Sequence, residues 1–215
     1  MLLADLGTCW AKTLETDTGT YRVEETIKLA RRSSLIFDVA TGHLSKARAR
    51  RYKNEILALA HGALRLVDDA DFTVVDVGAR DTKYCRFAGR RSRGLDWNQS
   101  CGAATGFTLE LLGRYYNLDF AELPVSEKRI SLTCGVFGME RIFDSIIKGS
   151  PVEEAVGRFV HGLAYNVFSF AQKPARIYLS GGLCENNCFV KSLSRYCQVV
   201  PLGRHVLLAG LQGDE

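Results

Sequence analysis

Two short segments of the chain carry an aspartate, a glycine and a lysine at the same spacing. The residues are Asp5, Gly7 and Lys12 in LLADLGTCWAK, and Asp76, Gly78 and Lys83 in VVDVGARDTK. In each segment an apolar run ends in Asp-x-Gly, which predicts a strand, a turn and a second strand. Glycine leaves room for a phosphate near the backbone, aspartate can hold hydrated Mg²⁺, and lysine adds positive charge. One copy alone is typical of an ordinary turn, but two matched copies favour a two-lobed nucleotide clamp.

Cysteines form the second group of residues that could do chemistry. The seven are Cys9, Cys85, Cys101, Cys134, Cys184, Cys188 and Cys197. An odd number, without a basic leader at the N-terminus, predicts a reducing cytoplasm in which thiols pack, react or bind metal. Because the sequence contains no CxxC pair, a metal would need cysteines that are distant in sequence or that come from two chains. Cys101 opens the stretch CGAATGFTLE, where small residues precede a predicted helix, and its thiol could bind, react or pack there.

A third candidate is the double glycine in YLSGGLCENN. The pattern predicts a buried strand, a turn at Gly181 and Gly182, and the start of a helix. Such a turn could let an adenosine lie against the backbone, or it could be a plain tight turn. The nearby CENNC spacing of Cys184 and Cys188 favours packed thiols over a second metal site.

The composition is that of an ordinary globular protein. The chain has 215 residues, of which 47% are hydrophobic and 24% charged, with a net charge of +4. No stretch approaches the roughly 18 apolar residues of a membrane span, so we expect no membrane association. Two arginine clusters, at Arg48, Arg50, Arg51 and at Arg90, Arg91, Arg93, lack interleaved aromatic residues and predict solvated faces rather than nucleic-acid binding.

The elements that position these residues can be outlined from periodicity. Residues 45–67 contain a helical apolar stripe at Ile56, Leu57, Ala60, Ala63, Leu64 and Val67. His61 lies near this stripe and is interpreted as structural. Pro151 opens a long helix whose predicted buried face is Val152, Val156, Phe159, Leu163 and Val167. The sequence predicts an N-terminal lobe over 1–68, with the first hairpin and a connecting helix, and a C-terminal lobe over 69–215.

Seven segments in this order resemble a known family. They are DLGTCWAK, ATGHLSKARARRYKNEILALAHGA, VVDVGARDTK, NQSCGAATGFTLE, TCGVFGMERI, GSPVEEAVGRFVHGLAYNV and LSGGLCENN. The chain resembles the ATPase activators of 2-hydroxyacyl-CoA dehydratases and the related ATPase subunits of benzoyl-CoA reductases. The resemblance implies a two-lobed α/β fold of the sugar kinase, Hsp70 and actin superfamily, with ribonuclease H-like lobes. The chain is shorter than typical members, so a reduced N-terminal lobe is expected.

The resemblance also implies a nucleotide site that binds ATP or ADP with Mg²⁺. The phosphate-1 loop would be Asp5, Gly7, Thr8 and Lys12, the phosphate-2 loop Asp76, Gly78, Asp81 and Lys83, and the adenosine turn Gly181 and Gly182. Asp5 and Asp76 would hold Mg²⁺ and its waters, and either could orient the attacking water. Lys12 and Lys83 would stabilise charge on the phosphates.

For the cysteines, the resemblance implies iron binding at Cys101 and Cys134. Each subunit of a homodimer would give two thiolates to one shared [4Fe–4S] cluster. Gly102, Ala103 and Ala104 would leave clearance beside Cys101, and a second helix is expected to begin near Gly138. ATP hydrolysis would change the angle between the lobes and drive an electron to a partner iron–sulfur dehydratase or reductase.

The sequence departs from the family pattern at two motifs. GAATG has an alanine, Ala104, where the family has a second glycine, and TGHLS replaces Thr-Gly-x-Gly-Arg. Two alternatives therefore stay open. One is a metabolite kinase of the same superfamily, such as an N-acetylhexosamine kinase, and the other is a nucleotide-binding subunit of a redox complex that does not hydrolyse ATP.

Overall fold

The computed structural model describes residues 1–32, 34–98, 106–133 and 135–213. These residues form two five-stranded sheets and eight α-helices. Cys101, Cys134 and the small residues 102–104 lie outside the described residues.

The first sheet has the strand order β3-β2-β1-β4-β5. Its strands are β1 (Leu2–Leu6), β2 (Trp10–Glu15), β3 (Thr20–Glu25), β4 (Phe37–Gly42) and β5 (Ala49–Tyr52). β1 is antiparallel to β2 and parallel to β4, so the strand that ends in the first Asp-x-Gly lies in the middle of the sheet. Central strands are buried on both faces, which is why β1 is almost continuously apolar.

The second sheet has the order β10-β9-β6-β7-β8. Its strands are β6 (Phe72–Val77), β7 (Thr82–Ala88), β8 (Arg91–Asn98), β9 (Arg176–Ser180) and β10 (Gln198–Gly203). β6 is buried at every position and central, whereas the edge strand β8 is mostly exposed and carries three charged residues, Arg91, Arg93 and Asp96. The second Asp-x-Gly again follows a central buried strand.

The described residues also form eight α-helices. They are α1 (Thr26–Ala30), α2 (Ser45–Arg48), α3 (Glu55–Leu66), α4 (Gly106–Tyr116), α5 (Gly135–Ile147), α6 (Val152–Phe170), α7 (Asn187–Leu193) and α8 (Val206–Leu211). A short 3-10 helix covers Gly182–Glu185. In the part of the chain that the structure describes, none of the helices combines the length and the apolar character that crossing a membrane requires.

The chain divides into two compact units. Unit 1 contains residues 1–74, 85–95 and 204–215, and unit 2 contains residues 75–84 and 96–203. This division is interleaved, whereas the sequence interpretation placed one boundary after residue 68. The apolar core of unit 1 centres on Leu6, Leu29 and Phe37, and that of unit 2 on α6 and the strands β6 and β9.

The helix predicted within residues 45–67 is shorter than the sequence suggested, and its buried residues include Ala60 and Ala63 of the predicted stripe but not Leu57. Residues 49–52 form β5, and α3 begins only after Asn54, whose side chain accepts a hydrogen bond from the Ile56 N–H. Leu57, a member of the predicted apolar stripe, is 48% exposed. The reason is the packing of α3 on α8 through Gly62 and Gly210, since a side chain at either glycine would collide with the backbone of the other helix.

The long helix predicted after Pro151 is present as α6. Val156, Phe159, Leu163 and Val167 are buried as expected, and Val152 is partly buried. Glu153 and Glu154 lie in the first turn of α6, where their negative charges interact favourably with the positive end of the helix dipole.

Candidate functional site

The first Asp-x-Gly hairpin, residues 5–12, joins β1 to β2 in unit 1. Asp5 and Lys12 are register partners on the two strands, and the Lys12 ammonium donates a 2.7 Å hydrogen bond to Asp5 Oδ2. Asp5 is only 3% exposed, so the ion pair is largely removed from water. The turn is tight at Gly7, where a Cβ would lie 2.8 Å from the Trp10 carbonyl oxygen, and Thr8 is exposed.

The second Asp-x-Gly hairpin, residues 76–83, joins β6 to β7 in unit 2. Here the lysine pairs with a different aspartate, because the Lys83 ammonium lies 2.7 Å from Asp81 Oδ1. The other carboxylate oxygen of Asp81 accepts a 2.9 Å hydrogen bond from the indole N–H of Trp97. Lys83 also lies 4.9 Å from the Trp97 ring centroid. The turn closes through the Gly78 N–H, which donates to the Asp81 carbonyl at 3.0 Å.

The carboxylate at the end of β6 has its own partner. Asp76 is 5% exposed, and the Ser180 hydroxyl donates a 2.9 Å hydrogen bond to its Oδ1. Both residues are buried at strand ends, Asp76 on β6 and Ser180 on β9. Neither Ser180 nor Trp97 is among the predicted site residues. For Ser180 the signal was the LSGG motif itself, whereas nothing in the sequence marked Trp97.

The double-glycine turn follows Ser180 directly. Gly181 has a φ of +86°, and a Cβ there would lie 2.8 Å from the Val77 backbone nitrogen, so this position requires glycine. Gly182 differs, because a Cβ there would meet no described atom within 4 Å. The structure therefore brings Asp76, Gly78 and this turn to neighbouring strand ends of unit 2, with open space beside Gly182.

Helix α4, which follows the Cys101 segment, is bonded to the second hairpin. The Gly106 N–H donates to the Gly78 carbonyl at 3.2 Å, and the Phe107 N–H donates to the Ala79 carbonyl at 2.8 Å. These contacts satisfy two of the N–H groups that a helix N-terminus leaves unpaired. α5 begins at Gly135, three residues before the expected Gly138 and directly after Cys134.

The cysteines within the described residues are reduced and mostly buried. Burial raises the pKa of the Cys188 and Cys197 thiols to about 11, so both are protonated and unreactive near neutral pH. Cys188 donates weakly to the Pro124 carbonyl at 3.7 Å. Within residues 1–32, 34–98, 106–133 and 135–213, no three His, Cys, Asp or Glu side chains are grouped to hold a metal ion.

Two of the arginines from the predicted solvated clusters have structural partners. Arg48 donates to the carbonyls of Ala30 and Arg32 at 2.6 and 2.7 Å. Arg90, whose φ is positive, donates to the Val67 carbonyl at 2.8 Å. These guanidinium groups bind backbone carbonyls of their own unit.

Proteins of known function are similar to the chain in sequence, although no family model matches it. The 2-hydroxyisocaproyl-CoA dehydratase activator of Clostridioides difficile is 23% identical over 164 residues, which cover 72% of this chain and 61% of that protein. The (R)-2-hydroxyglutaryl-CoA dehydratase activating ATPase of Acidaminococcus fermentans is 24% identical over 168 residues, which cover 73% of this chain and 64% of that protein. The chain thus spans less than two thirds of the length of these relatives.

Solved structures with a similar fold include proteins of the same kind. The activator of the 2-hydroxyisocaproyl-CoA dehydratase from Clostridium difficile with bound ADPNP has a TM-score of 0.78 at 18% identity, over 98% of this chain and 92% of that one. Component A of the Acidaminococcus fermentans (R)-2-hydroxyglutaryl-CoA dehydratase also has a TM-score of 0.78, at 19% identity, over 98% of this chain and 95% of that one. Together these similarities confirm the resemblance predicted from the motifs and the two-lobed actin-like α/β fold class.

Proposed function

We propose that this chain, a divergent relative of the 2-hydroxyacyl-CoA dehydratase activators, is an ATPase that delivers a low-potential electron to a partner iron–sulfur enzyme. The partner would be a dehydratase of the 2-hydroxyacyl-CoA type or a reductase of the benzoyl-CoA type, and it would carry out the substrate chemistry. The electron enters from an external reductant, and ATP hydrolysis supplies the free energy for an uphill transfer.

The observation that carries this proposal is the bonding of α4 to the second hairpin. Gly106 and Phe107, at the start of α4, donate to the carbonyls of Gly78 and Ala79. Residues 78 and 79 belong to the loop that we assign to phosphate binding, and α4 follows the Cys101 segment along the chain. A change in that loop on hydrolysis would therefore reach the cysteine-bearing segment through two backbone hydrogen bonds.

The donor set of both hairpins fits hydrated Mg²⁺ and phosphate. Asp5 and Asp76 are buried carboxylates at strand ends, and oxygen ligands of this kind suit Mg²⁺ and its waters. We assign them to hold or orient those waters, with Ser180 orienting Asp76 through its 2.9 Å hydrogen bond. Lys12 and Lys83 stabilise negative charge on the phosphates, and both are held by an aspartate in the structure.

We also assign Gly7, Thr8, Gly78, Asp81 and the turn at Gly181 and Gly182 to the nucleotide. Gly78 has room for a ligand near its backbone, because a Cβ there would meet only Asp81, at 3.4 Å and beyond. Gly182 faces open space that an adenosine could occupy. These residues bind and orient the nucleotide rather than react with it.

Cys101 and Cys134 are our candidates for the iron ligands. α5 begins at the residue after Cys134, and N–H groups at a helix N-terminus stabilise thiolates and other anions, so this position suits a metal-bound cysteine. When bound, a [4Fe–4S] cluster would supply the low-potential electron. Such reduced thiols need a reducing compartment, so we place the protein in the cytoplasm.

Two thiolates per chain imply a homodimer, and unit 2 presents an apolar surface that would support one. Its exposed residues on α4 and α5 are Phe107, Leu111, Tyr115, Val136, Phe137, Phe143 and Ile147. The three on α4 are spaced by four residues, so they form a single stripe. Exposed apolar stripes on neighbouring helices are typical of protein interfaces.

The proposal is tested by anaerobic purification followed by iron analysis and ATPase assays. We expect a brown protein with roughly four iron atoms per dimer. Cys101→Ser should lose this iron, whereas the control Cys197→Ser should keep it, because Cys197 is a protonated thiol that donates to the Leu193 carbonyl at the end of α7.

Three outcomes would contradict the proposal. A colourless wild-type protein without iron after anaerobic reconstitution excludes the iron–sulfur role. ADP release that depends on an added sugar, with iron-free protein, would favour the metabolite kinase. Nucleotide binding without measurable hydrolysis would favour the non-hydrolysing subunit of a redox complex.

A further inference from the structure

We propose that the hydroxyl of Thr41 is a further positioning group of the nucleotide site, which hydrogen-bonds a water of the Mg²⁺ held at Asp5. This inference rests on the proposed function, since it requires that Mg²⁺-nucleotide binds at the first hairpin. Thr41 lies on β4, outside the segments that carry the Asp-x-Gly pattern.

The strand register places Thr41 beside Asp5. β1 and β4 are parallel, with Asp5 opposite Thr41, and β1 and β2 are antiparallel, with Asp5 opposite Lys12. Register partners on adjacent strands share a face of the sheet, and adjacent strands lie roughly 4.8 Å apart. Lys12, Asp5 and Thr41 therefore form a row of three polar side chains across one face of the sheet of unit 1.

In this row, the Thr41 hydroxyl is fully buried without a hydrogen-bond partner among the described residues. A buried hydroxyl without a partner is destabilising, so such groups are rare unless a ligand or water satisfies them. The Lys12 ammonium bonds to Asp5 Oδ2 from β2, on the opposite side of β1 from Thr41.

The backbone that follows Thr41 at the end of β4 is packed closely against β1. Gly42 has a φ of +97°, and a Cβ at this position would collide with the backbone of Leu6. The His43 N–H donates to the Leu6 carbonyl at 3.0 Å, and the Ser45 hydroxyl bonds to the Gly42 carbonyl. The contacts of Gly42 and His43 with Leu6 thus hold this strand end against β1, where Asp5 lies.

A hydrated Mg²⁺ suits this arrangement better than a bare phosphate oxygen. Mg²⁺ keeps several waters when it is held by one carboxylate, and those waters donate hydrogen bonds to neighbouring oxygens. A threonine Oγ1 can accept such a bond, while the carboxylate of Asp5 accepts another. The predicted consequence is that Thr41 affects nucleotide binding only when Mg²⁺ is present.

The test compares three variants of the full chain in two kinds of measurement. Thr41→Val removes the hydroxyl and keeps the shape, Thr41→Ser keeps the hydroxyl, and Thr13→Val is the control. Thr13 is also a buried threonine of this sheet, but it pairs with Ala4 and therefore lies on the opposite face. The measurements are the Tm without ligand and calorimetric binding of a non-hydrolysable ATP analogue, with Mg²⁺ or with EDTA.

We expect Thr41→Val to have an unchanged or higher Tm, because it removes an unsatisfied buried hydroxyl. Its Kd for the analogue should rise about tenfold with Mg²⁺, the loss of roughly one hydrogen bond to a charged group, and stay unchanged with EDTA. Thr41→Ser should bind within about twofold of the wild type. Thr13→Val should leave both Kd values unchanged.

The outcomes that overturn the inference are distinct from those that overturn the proposed function. A lower Tm for Thr41→Val with normal affinity assigns Thr41 to packing, and an equal loss of affinity with EDTA assigns it to phosphate instead. In both cases the proposed function stands. A wild-type protein that binds no nucleotide under either condition overturns the proposed function, and the role of Thr41 with it.

Discussion

The Ser180 hydroxyl donates a 2.9 Å hydrogen bond to Asp76 Oδ1, although 104 residues separate them in the chain. Both side chains are buried, so the bond is shielded from water and fixes one orientation of the carboxylate. Through it, the turn that we assign to adenosine is linked directly to the aspartate that we assign to Mg²⁺.

Ser180→Ala removes this hydrogen bond and tests the link. We expect the free energy of unfolding to fall by about 1–2 kcal/mol, because a buried acceptor loses its donor. The affinity for Mg²⁺-nucleotide should fall several-fold. Denaturant titration and calorimetry measure both, with Ser194→Ala as the control, since Ser194 donates to the Val190 carbonyl on the exposed side of α7. Wild-type affinity in Ser180→Ala would show that Asp76 needs no orientation by Ser180.

The local features of both hairpins could be predicted from the sequence because they depend on neighbouring residues. An apolar run that ends in Asp-x-Gly predicts a strand and a turn, and the structure has Asp5 on β1 and Asp76 on β6. The partners of the lysines could not be predicted, since one spacing allows two ion pairs. Lys12 pairs with the strand aspartate, whereas Lys83 pairs with one inside the turn.

Features that depend on distant contacts could not be predicted from short segments of the sequence. Hydrophobicity alone placed Leu57 in the apolar stripe, yet Leu57 is exposed and α3 packs on α8 through Gly62, which contributes no apolar side chain. Trp97 gave no local signal, and Thr41 was marked only as part of the TGHLS motif, without a role. Their roles depend on which strand lies beside which, and pairing between distant strands is not encoded in any short window.

The two glycines of the adenosine turn should respond in opposite ways to a methyl group. Gly181→Ala places a Cβ against the Val77 backbone at a φ of +86°, so we expect a loss of stability of at least about 2 kcal/mol. Gly182→Ala faces open space and should fold normally, but it should weaken nucleotide binding if adenosine occupies that space. Thermal unfolding measures the loss of stability in Gly181→Ala, and nucleotide titration measures the loss of affinity in Gly182→Ala. Normal affinity in Gly182→Ala would remove this turn from the site.

The contact between Trp97 and Asp81 predicts a specific role for one of the two tryptophans. Trp97→Phe keeps an aromatic ring near Lys83 but removes the N–H donor to Asp81 Oδ2. A hydrogen bond to a carboxylate contributes about 1.5–3 kcal/mol, so we expect a loss of unfolding free energy in this range. Trp10→Phe is the matched control, because Trp10 is 39% exposed. Equal stability of the two variants in denaturant titrations would contradict the role of Trp97.

The environment of His161 predicts how stability depends on pH. Its Nε2 lies 2.7 Å from the Tyr196 hydroxyl and its Nδ1 lies 3.3 Å from the Lys128 carbonyl, an arrangement that suits a neutral ring with Nδ1 protonated. Burial lowers the pKa of His161 below its ordinary value of 6.5, and the charges of Arg195 and Arg129 lower it further. The unfolded chain therefore binds a proton at a higher pH than the folded chain does.

This difference in proton binding sets the sign of the effect. The contribution of neutral His161 to the free energy of unfolding is fully present above about pH 6.5 and is lost as the pH falls below that value. From this residue alone, the free energy of unfolding changes by at most about 1.4 kcal/mol per pH unit. His161→Phe removes the titration, so its free energy of unfolding should depend less on pH between about 7 and 5.5. Denaturant titrations across this range measure the difference, and a His161→Phe profile parallel to the wild type would show that His161 does not titrate on unfolding.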